Sequence, residues 1–478
     1  MFARVKTLLF GTAKRPMRLP VHVRARYDAA ATTAENRRHW ANADDLSANA
    51  ANSLQVRRIL RSRARYEVAN NSYARGIVLT LANDTIGTGP RLQVLTEDAE
   101  ANRVIEQEFA RWAEAVCLAE KLRTMRMARA QDGEAFCLLT ANPGLDSRVK
   151  LDLRLIEADQ VTTPQQTSAA NAVDGIVFDD VGNPIEYHVL KRHPGDGSSS
   201  LSVSFERVPA SLMIHYYRAD RPGQSRGIPE ITPAIPLFAQ LRRYTLAVLA
   251  AAETAADFAA VLFTDAPPNG EAQDIEPMDV VELERRMATV LPGGWKLGQV
   301  HAEQPATTYS EFKREILNEI ARCLNMPFNI AAGNSSGYNY ASGRLDHQTY
   351  YQSIRVEQAQ LGLVVLDRIL RAWLDEASLI GDLLPGWLRN SNVRDLLHQW
   401  FWDGREHVDP SKEAVAQSMR LQNHTTTLAY EYARQGRDWE AELRQRAKEV
   451  ALLNELGLAM TFPQYPSNSE NRNDEDTN

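Results

Sequence analysis

Hydrophobic residues recur every three or four positions over most of the chain, which is the spacing that buries one face of a helix. A first helix is predicted from Val56, and its apolar face carries Ile59, Tyr66, Tyr73, Ile77 and Leu81. A second is predicted over Ala99–Cys117, with Val104, Ile105, Phe109 and Trp112 inside. The chain therefore opens, after an alanine- and asparagine-rich arm, with helices.

In the middle of the chain the hydrophobic period changes to two. Between Glu134 and Tyr217, apolar residues alternate with polar ones in three runs, which begin at Val149, Ile185 and Leu201. Turn residues separate these runs, for instance at Asp180–Pro184. The alternation predicts an antiparallel sheet.

The next long segment, Pro236–Asp265, has no internal glycine or proline. As one helix, its roughly 29 residues would span about 43 Å. Alanine is so frequent here that the helix would be thin and could pack closely against copies of itself. We expect such contact at Ala252 and Ala256. A buried helix in a large monomeric domain is the alternative.

The clearest pattern lies between Thr308 and Ser378, where a helix, a polar loop and a longer helix follow one another. The first helix begins with capping-box spacing at Thr308 and Glu311, and its predicted stripe is Phe312, Ile316, Ile320 and Leu324. The loop Gly333–Gly343 is rich in glycine, serine, asparagine and tyrosine, and the second helix follows from Gly343. A polar tip between two strongly patterned helices is typical of a functional loop.

Composition points to a protein that crosses no membrane. The chain has 478 residues, of which 44% are hydrophobic and 24% charged. Its most apolar stretch, Leu246–Phe263, contains Glu253 and Asp257, so no transmembrane segment is expected. The N-terminus lacks a signal-peptide core, and the three cysteines have no metal-ligand spacing. We therefore expect a cytoplasmic protein with reduced thiols.

Three groups of polar residues have side chains found in known catalytic or binding sites, but none meets the other requirements of such a site. The loop Arg221–Gly227 lacks the Gly-Lys-Ser/Thr end of a phosphate loop, which argues against ATP hydrolysis. Glu253 and Asp257 share a helix face, but the alanines around them offer no catalytic pocket. The third group is better explained by a loop that caps the next helix than by a metal site; it comprises His398, Asp403, Glu406, His407 and Asp409. No catalytic residue, cofactor or metal is predicted.

Several segments, taken in order, resemble a known family. The first two are Asn70–Gly76 with Asn83–Gly89, and Pro222–Pro229. The third is Ala321–Pro327 with the loop after it and Arg344–Gln348, which leads into the long helix, and the fourth is His407–Ala414. This ordered set resembles the lambda-type portal proteins of tailed bacteriophages, and it extends from about Tyr27 to about Leu458.

The resemblance implies a non-enzymatic α+β subunit, mainly helical, in a ring of about 12 copies at one capsid vertex. The implied divisions are a basic N-terminal arm (1–53), an antiparallel-sheet wing (54–230), two stem helices (231–265 and 307–326), a small α/β clip between them (266–306), a tunnel loop (327–343), and a tunnel-lining helix with a helical crown (344–458). The acidic, aliphatic-free tail (459–478) is expected to be disordered.

Double-stranded DNA would be packaged and ejected through such a ring. The implied partners are terminase, the capsid or scaffold protein and the head-to-tail connector. The implied location is the virion, with assembly in the host cytoplasm. A net charge of −7 suits a channel that repels DNA rather than retaining it. A nucleic-acid-processing hydrolase of the packaging apparatus is the alternative function.

The resemblance also assigns roles to residues. The tunnel loop would make weak, sequence-independent contacts to DNA through Asn334, Ser335, Ser336, Tyr338, Asn339 and Tyr340. A loop ordered against a neighbouring subunit is the alternative. On the stem, Glu253 and Asp257 are expected either to pair with a neighbouring subunit or to form stacked acidic rings. The basic residues near them are expected to neutralise these acids, with separate basic belts as the alternative; they are Arg242, Arg243, Lys313 and Arg314. From its sequence, the first helix is interpreted as having a solvated basic face with intersubunit salt bridges, and a DNA-facing role is the alternative; its arginines are Arg57, Arg58, Arg61, Arg63, Arg65 and Arg75.

Overall fold

The computed structural model describes residues 33–163, 171–196, 204–257, 261–264, 295–298, 306–337, 339–386, 396–404 and 410–458. Helices predominate in these ranges, and the strands in them pair antiparallel. The predicted class, mainly helical α+β with antiparallel sheets, is confirmed. No helix of the described part is both long and apolar enough to cross a membrane.

The N-terminal part is helical, as predicted. Its elements are α1 (Ala48–Ala51), α2 (Leu54–Asn70), α3 (Ser72–Ile86), strand β1 (Arg91–Val94), α4 (Ala99–Ala115) and α5 (Leu118–Asp132). The helix predicted from Val56 is divided in two at Asn71. There the backbone is extended, and the Asn71 side chain accepts hydrogen bonds from the N–H groups of Tyr73 and Ala74, which caps α3.

The buried face of α2 is not the one that the apolar residues predicted. Arg57 and Arg61 lie on the buried face with Ala64, whereas Ile59 and Tyr66 are 49% and 55% exposed. The interpretation of all the α2 arginines as solvated is therefore wrong for two of them. The physical reason is that buried carboxylates on other elements pair with both guanidinium groups.

The central part forms two antiparallel sheets. Its strands are β2 (Glu134–Ala141), β3 (Leu151–Ile156), β4 (Ala172–Val173), β5 (Ile176–Phe178), β6 (Pro184–Leu190), β7 (Phe205–Pro209) and β8 (Met213–Tyr217). One sheet has the order β3-β2-β8 and the other β4-β5-β6-β7. β2 is buried over its first six residues, so it lies at the centre of the molecule rather than at a surface.

The predicted long helix is shorter than its alanine-rich sequence indicated. It is α6 (Ile235–Asp257), and the following β9 (Val261–Thr264) pairs with β10 (Trp295–Gly298). The expectation of helix up to Asp265 is therefore wrong, because Val261, Phe263 and Thr264 have the side chains that strands favour. Of the predicted clip, 266–306, only 295–298 and 306 are among the described residues.

The C-terminal part continues as helices. They are α7 (Ala306–Arg322), α8 (Phe328–Ala332), α9 (Tyr340–Leu361), α10 (Asp367–Ser378), α11 (Pro410–Gln422), α12 (Leu428–Arg434) and α13 (Trp439–Glu455). Between α10 and α11, strand β11 (His398–Phe401) pairs with β1. Because α7 begins at Ala306, Thr308 lies inside the helix and does not cap it. Of the predicted stripe, Ile320 and Leu324 are buried and Ile316 is partly buried, next to the buried Leu317 and Ala321, whereas Phe312 is 51% exposed.

The long helix predicted from Gly343 to Ser378 begins three residues earlier and contains one irregularity. A π-helical turn at Gly362–Leu366 joins α9 to α10. Five apolar residues on one side of this helix are buried or partly buried; they are Leu361, Val364, Val365, Ile369 and Trp373. An inserted π-turn leaves little trace in hydrophobic periodicity, so the sequence did not predict it.

Candidate functional site

The polar loop between α8 and α9 is exposed at every described position. Asn334, Ser335, Ser336 and Asn339 all face solvent. The Ser336 N–H donates to the Asn334 side-chain oxygen at 2.9 Å, and Gly337 adopts a positive φ of 86°. The loop is therefore organised by short local contacts and contributes nothing to a core.

The two supports of this loop are fixed to the rest of the chain. At its base the Asn329 side-chain nitrogen of α8 lies 2.9 Å from the His347 ring of α9. One turn further, the buried Tyr350 donates its hydroxyl to the Asp84 carboxylate of α3 at 2.7 Å. An exposed polar tip on fixed supports is thus a property of the three-dimensional structure as well as of the sequence.

The two loop tyrosines remain a prediction. Tyr338 lies outside the described residues. Tyr340 is the first residue of α9, and its side chain is likewise outside them.

Two predicted basic residues of the stem are engaged elsewhere in the same chain. Arg242 of α6 forms an ion pair with the buried Glu67 of α2 at 3.0 Å and lies over the Tyr66 ring at 4.9 Å from its centre. Lys313 of α7 lies over the Tyr73 ring at 5.1 Å. Within one chain, Arg242 therefore neutralises Glu67, and its role toward the stem acids stays a prediction.

The remaining stem residues whose side chains are described lie on outer faces. Arg243, Ala252 and Glu253 are exposed on α6, and Arg314 forms an exposed ion pair with Glu315 at 3.5 Å on α7. Ala256 and Asp257 belong to α6, and their side chains are outside the described residues. An exposed alanine face on a helix of this length is available for contact with another molecule.

The segment before α6 enters a buried ionic cluster that the sequence did not predict. Arg226 is completely buried and binds Glu134, the first residue of β2, through two nitrogens at 2.7 to 3.0 Å. Arg61 binds the same carboxylate, and Arg57 binds Asp174. The cluster joins α2, both sheets and this segment, and it explains why two arginines of α2 are inside.

Glycine makes the close approach at this cluster possible. A Cβ atom added at Gly227 would lie 2.0 Å from the backbone oxygen of Gly133, and Gly133 itself has a positive φ of 90°. Gly227 is therefore needed for packing against β2. The loop Arg221–Gly227, which lacks the end of a phosphate loop, serves this packing instead.

The charges in the cluster shift the pKa of its members. Burial alone would raise the pKa of Glu134, but Arg226 and Arg61 outweigh it and hold that pKa well below its usual range. Burial lowers the pKa of His215, and its hydrogen bond to Glu134 opposes this only in part. At neutral pH the cluster thus contains an ionised glutamate and a neutral histidine.

A second buried ionic cluster connects the segment before α6 to α9, the helix that follows the polar loop. Glu230 is bound by Arg126 at 2.8 Å and by Arg129 at 3.1 Å, and Arg129 also binds Glu357 of α9 at 2.6 Å. The sheet region and the loop-bearing helix α9 are therefore connected by charged hydrogen bonds, in which α5 is the intermediate element.

Among the described residues, one group of side chains has metal-ligand spacing, but arginines already pair with its carboxylates. Glu157, Asp159 and His193 bring their ligand atoms within 4.8 Å of one another. Asp159 binds Arg61 at 3.1 Å and Arg65 at 2.8 Å. The positive charge at this group therefore comes from the protein itself.

The described members of the rejected C-terminal metal group have ordinary partners. The His398 ring lies 3.1 Å from the Asp367 carboxylate, and Asp403 accepts a hydrogen bond from the Thr88 hydroxyl at 2.6 Å. The other members lie outside the described residues; they are Glu406, His407 and Asp409.

Comparison with known proteins agrees with the resemblance in the sequence. The model of a family described as "Phage portal protein, lambda family" matches residues 34–358. A probable portal protein of Halomonas phage phiHAP-1 is 27% identical over 431 residues, which cover 84% of this chain and 81% of that protein. Portal protein B of Escherichia phage lambda is 21% identical over 442 residues, 82% of this chain and 83% of that protein. Among solved structures, a chain from the neck of an empty GTA particle, computed with C6 symmetry, has a TM-score of 0.49 at 13% identity and covers 79% of this chain and 93% of its own length.

Proposed function

Because this chain belongs to the lambda family of phage portal proteins, we propose that copies of it form a closed ring at one capsid vertex, with about 12 subunits. The observation that carries this proposal is the family match, which extends over more than half of the chain. As a portal protein, the chain is structural and not an enzyme.

The ring provides the channel for double-stranded DNA during packaging and ejection. The exposed polar loop on fixed supports is suited to line its narrowest part, where Asn334, Ser335, Ser336 and Asn339 offer hydrogen bonds without fixed positive charge. We assign Tyr338 and Tyr340 to the same surface. A surface of this kind contacts a moving DNA backbone without holding it.

The ring also serves as the docking site for the other parts of the particle. Its partners are terminase during packaging, the capsid or scaffold protein at the vertex, and the head-to-tail connector afterwards. In this assignment residues 54–230 form the wing and 266–306 the clip, between the stem helices α6 and α7. The protein assembles in the host cytoplasm and then belongs to the virion.

The mass and shape of the purified protein in solution test this proposal. A portal protein gives a large closed ring with a central channel, visible in negative-stain images. A small oligomer with metal-dependent nuclease or ATPase activity would instead support a hydrolase of the packaging apparatus and overturn the proposed function.

A further inference from the structure

One face of α7 carries three glutamates at intervals of four residues. Glu311, Glu315 and Glu319 are all exposed, and the half-exposed Phe312 lies beside them. Within the described part of the chain, Glu311 and Glu319 form no ion pair, and Glu315 has only the exposed Arg314 at 3.5 Å. We call these four residues, Glu311, Phe312, Glu315 and Glu319, the acidic stripe.

This arrangement is unfavourable for an isolated subunit. Like charges four residues apart on a helix repel each other and destabilise it. Exposure of a large aromatic ring beside them adds apolar surface in contact with water. Both costs are removed if a surface with positive charge and apolar side chains covers the stripe.

The outer face of α2 has this complementary composition. Arg58, Ile59, Arg63 and Tyr66 are exposed, and we call them the basic face. The only acidic residue of α2 is Glu67, which is buried and bound to Arg242. Arg58 and Arg63 form no ion pair with any residue that the structure describes. The basic face and the acidic stripe each extend over nine residues of helix, a span of about 12 Å, so they match in length.

We propose that the acidic stripe of one subunit binds the basic face of the next subunit in the ring. This inference rests on the proposed ring. The contact is heterologous, because two different surfaces of the same chain meet, and heterologous contacts are those that close into rings. Phe312 packs against Ile59 and Tyr66 at its centre, and the glutamates pair with Arg58 and Arg63 at its edge.

Charge reversal and its rescue test this contact. We expect Glu315→Arg with Glu319→Arg to raise the concentration at which half of the subunits are in rings by at least about tenfold, since like charges would then face each other. Arg58→Glu with Arg63→Glu is expected to do the same. A chain with all four changes restores opposite charges and is expected to assemble within about threefold of wild type.

The matched control is Glu97→Arg with Glu206→Arg, which reverses two exposed charges outside both surfaces and is expected to leave assembly unchanged. Because all of these side chains are exposed, thermal unfolding of the dissociated subunit should be similar in every variant. Mass in solution over a dilution series gives the assembly measurement.

The outcomes separate this contact from the ring itself. Wild-type protein that never forms rings overturns the proposed function and the contact together. The contact alone is overturned if the charge-reversed variants form rings normally, or if the chain with all four changes does not recover assembly. Charge-reversed rings that assemble normally but bind DNA more tightly would show instead that the acidic stripe faces the channel.

Discussion

Arg226 and Glu134 form a fully buried, two-pronged ion pair, with Nη2 to Oε1 at 2.7 Å and Nε to Oε2 at 2.9 Å. Parallel hydrogen bonds of this kind fix orientation as well as distance. The pair attaches the segment that leads into α6 to the central strand β2. It therefore determines where the long helix leaves the sheet region.

Removing the carboxylate of this pair should destabilise the subunit strongly. In Glu134→Gln, Arg226 and Arg61 stay buried with less negative charge beside them, and the free energy of unfolding should fall by about 3–5 kcal/mol. Urea denaturation of the dissociated subunit measures this. The matched control is Arg444→Met, which breaks the exposed pair with Glu440 and should cost less than about 1 kcal/mol. Similar costs for the two variants would contradict the role assigned to the cluster.

The same cluster predicts a pH dependence of stability. Burial disfavours the charged form of His215 and holds its pKa below the usual histidine value of about 6.5. In the window below pH 6.5 the unfolded chain binds more protons than the folded one, so this contribution to stability is complete above pH 6.5 and is lost as the pH falls through that window. His215→Gln should therefore lose less stability than wild type between about pH 7 and pH 5.5. An equal or larger loss in the variant would contradict this sign.

Much of the fold follows from periodicity, and the exceptions have physical causes. The helices α4, α7 and α9–α10 and the strands β3 and β6 lie where the pattern of apolar residues predicted them. The orientation of α2 does not, because Arg57 and Arg61 are stabilised by carboxylates that are distant in sequence. The spacing of Arg57, Arg61 and Ala64 on one face was the available signal, and the apolar Ile59 and Tyr66 obscured it.

Of the candidate site too, part could be predicted from the sequence and part could not. The composition of 333–339 identified an exposed loop, and the helices around it identified its supports. Which basic residues are free could not be predicted, since Arg242 is engaged by Glu67 through tertiary packing and Arg243 is not.

The exposed alanine of α6 should be sensitive to size if the ring forms as proposed. Replacing Ala252 by Phe would separate neighbouring stem helices and cost about 1–3 kcal/mol at each interface. Rings should be lost at concentrations where wild type assembles, while the subunit stays folded by circular dichroism. Ala99→Phe, at the exposed start of α4, is the control. Normal rings from Ala252→Phe and Ala256→Phe would mean that this face is not an interface.

The polar loop should be separable from assembly. Deleting 334–339 removes no buried side chain among the described residues, so rings should form while DNA packaging or retention falls. Ser335→Lys with Ser336→Lys should slow translocation, and higher salt should relieve the effect because phosphate contacts weaken as salt rises. Packaged DNA length at low and high salt provides the measurement. Identical packaging by all variants would show that the loop does not contact DNA.

The most direct test of the central claim is the amount of nuclease-protected DNA in capsids assembled with and without this protein. With terminase and ATP present, capsids that contain the ring should protect DNA of genome length, and capsids without it should protect none. Equal protection in the two preparations would contradict the account, because DNA would then enter the capsid by a route that does not need this chain.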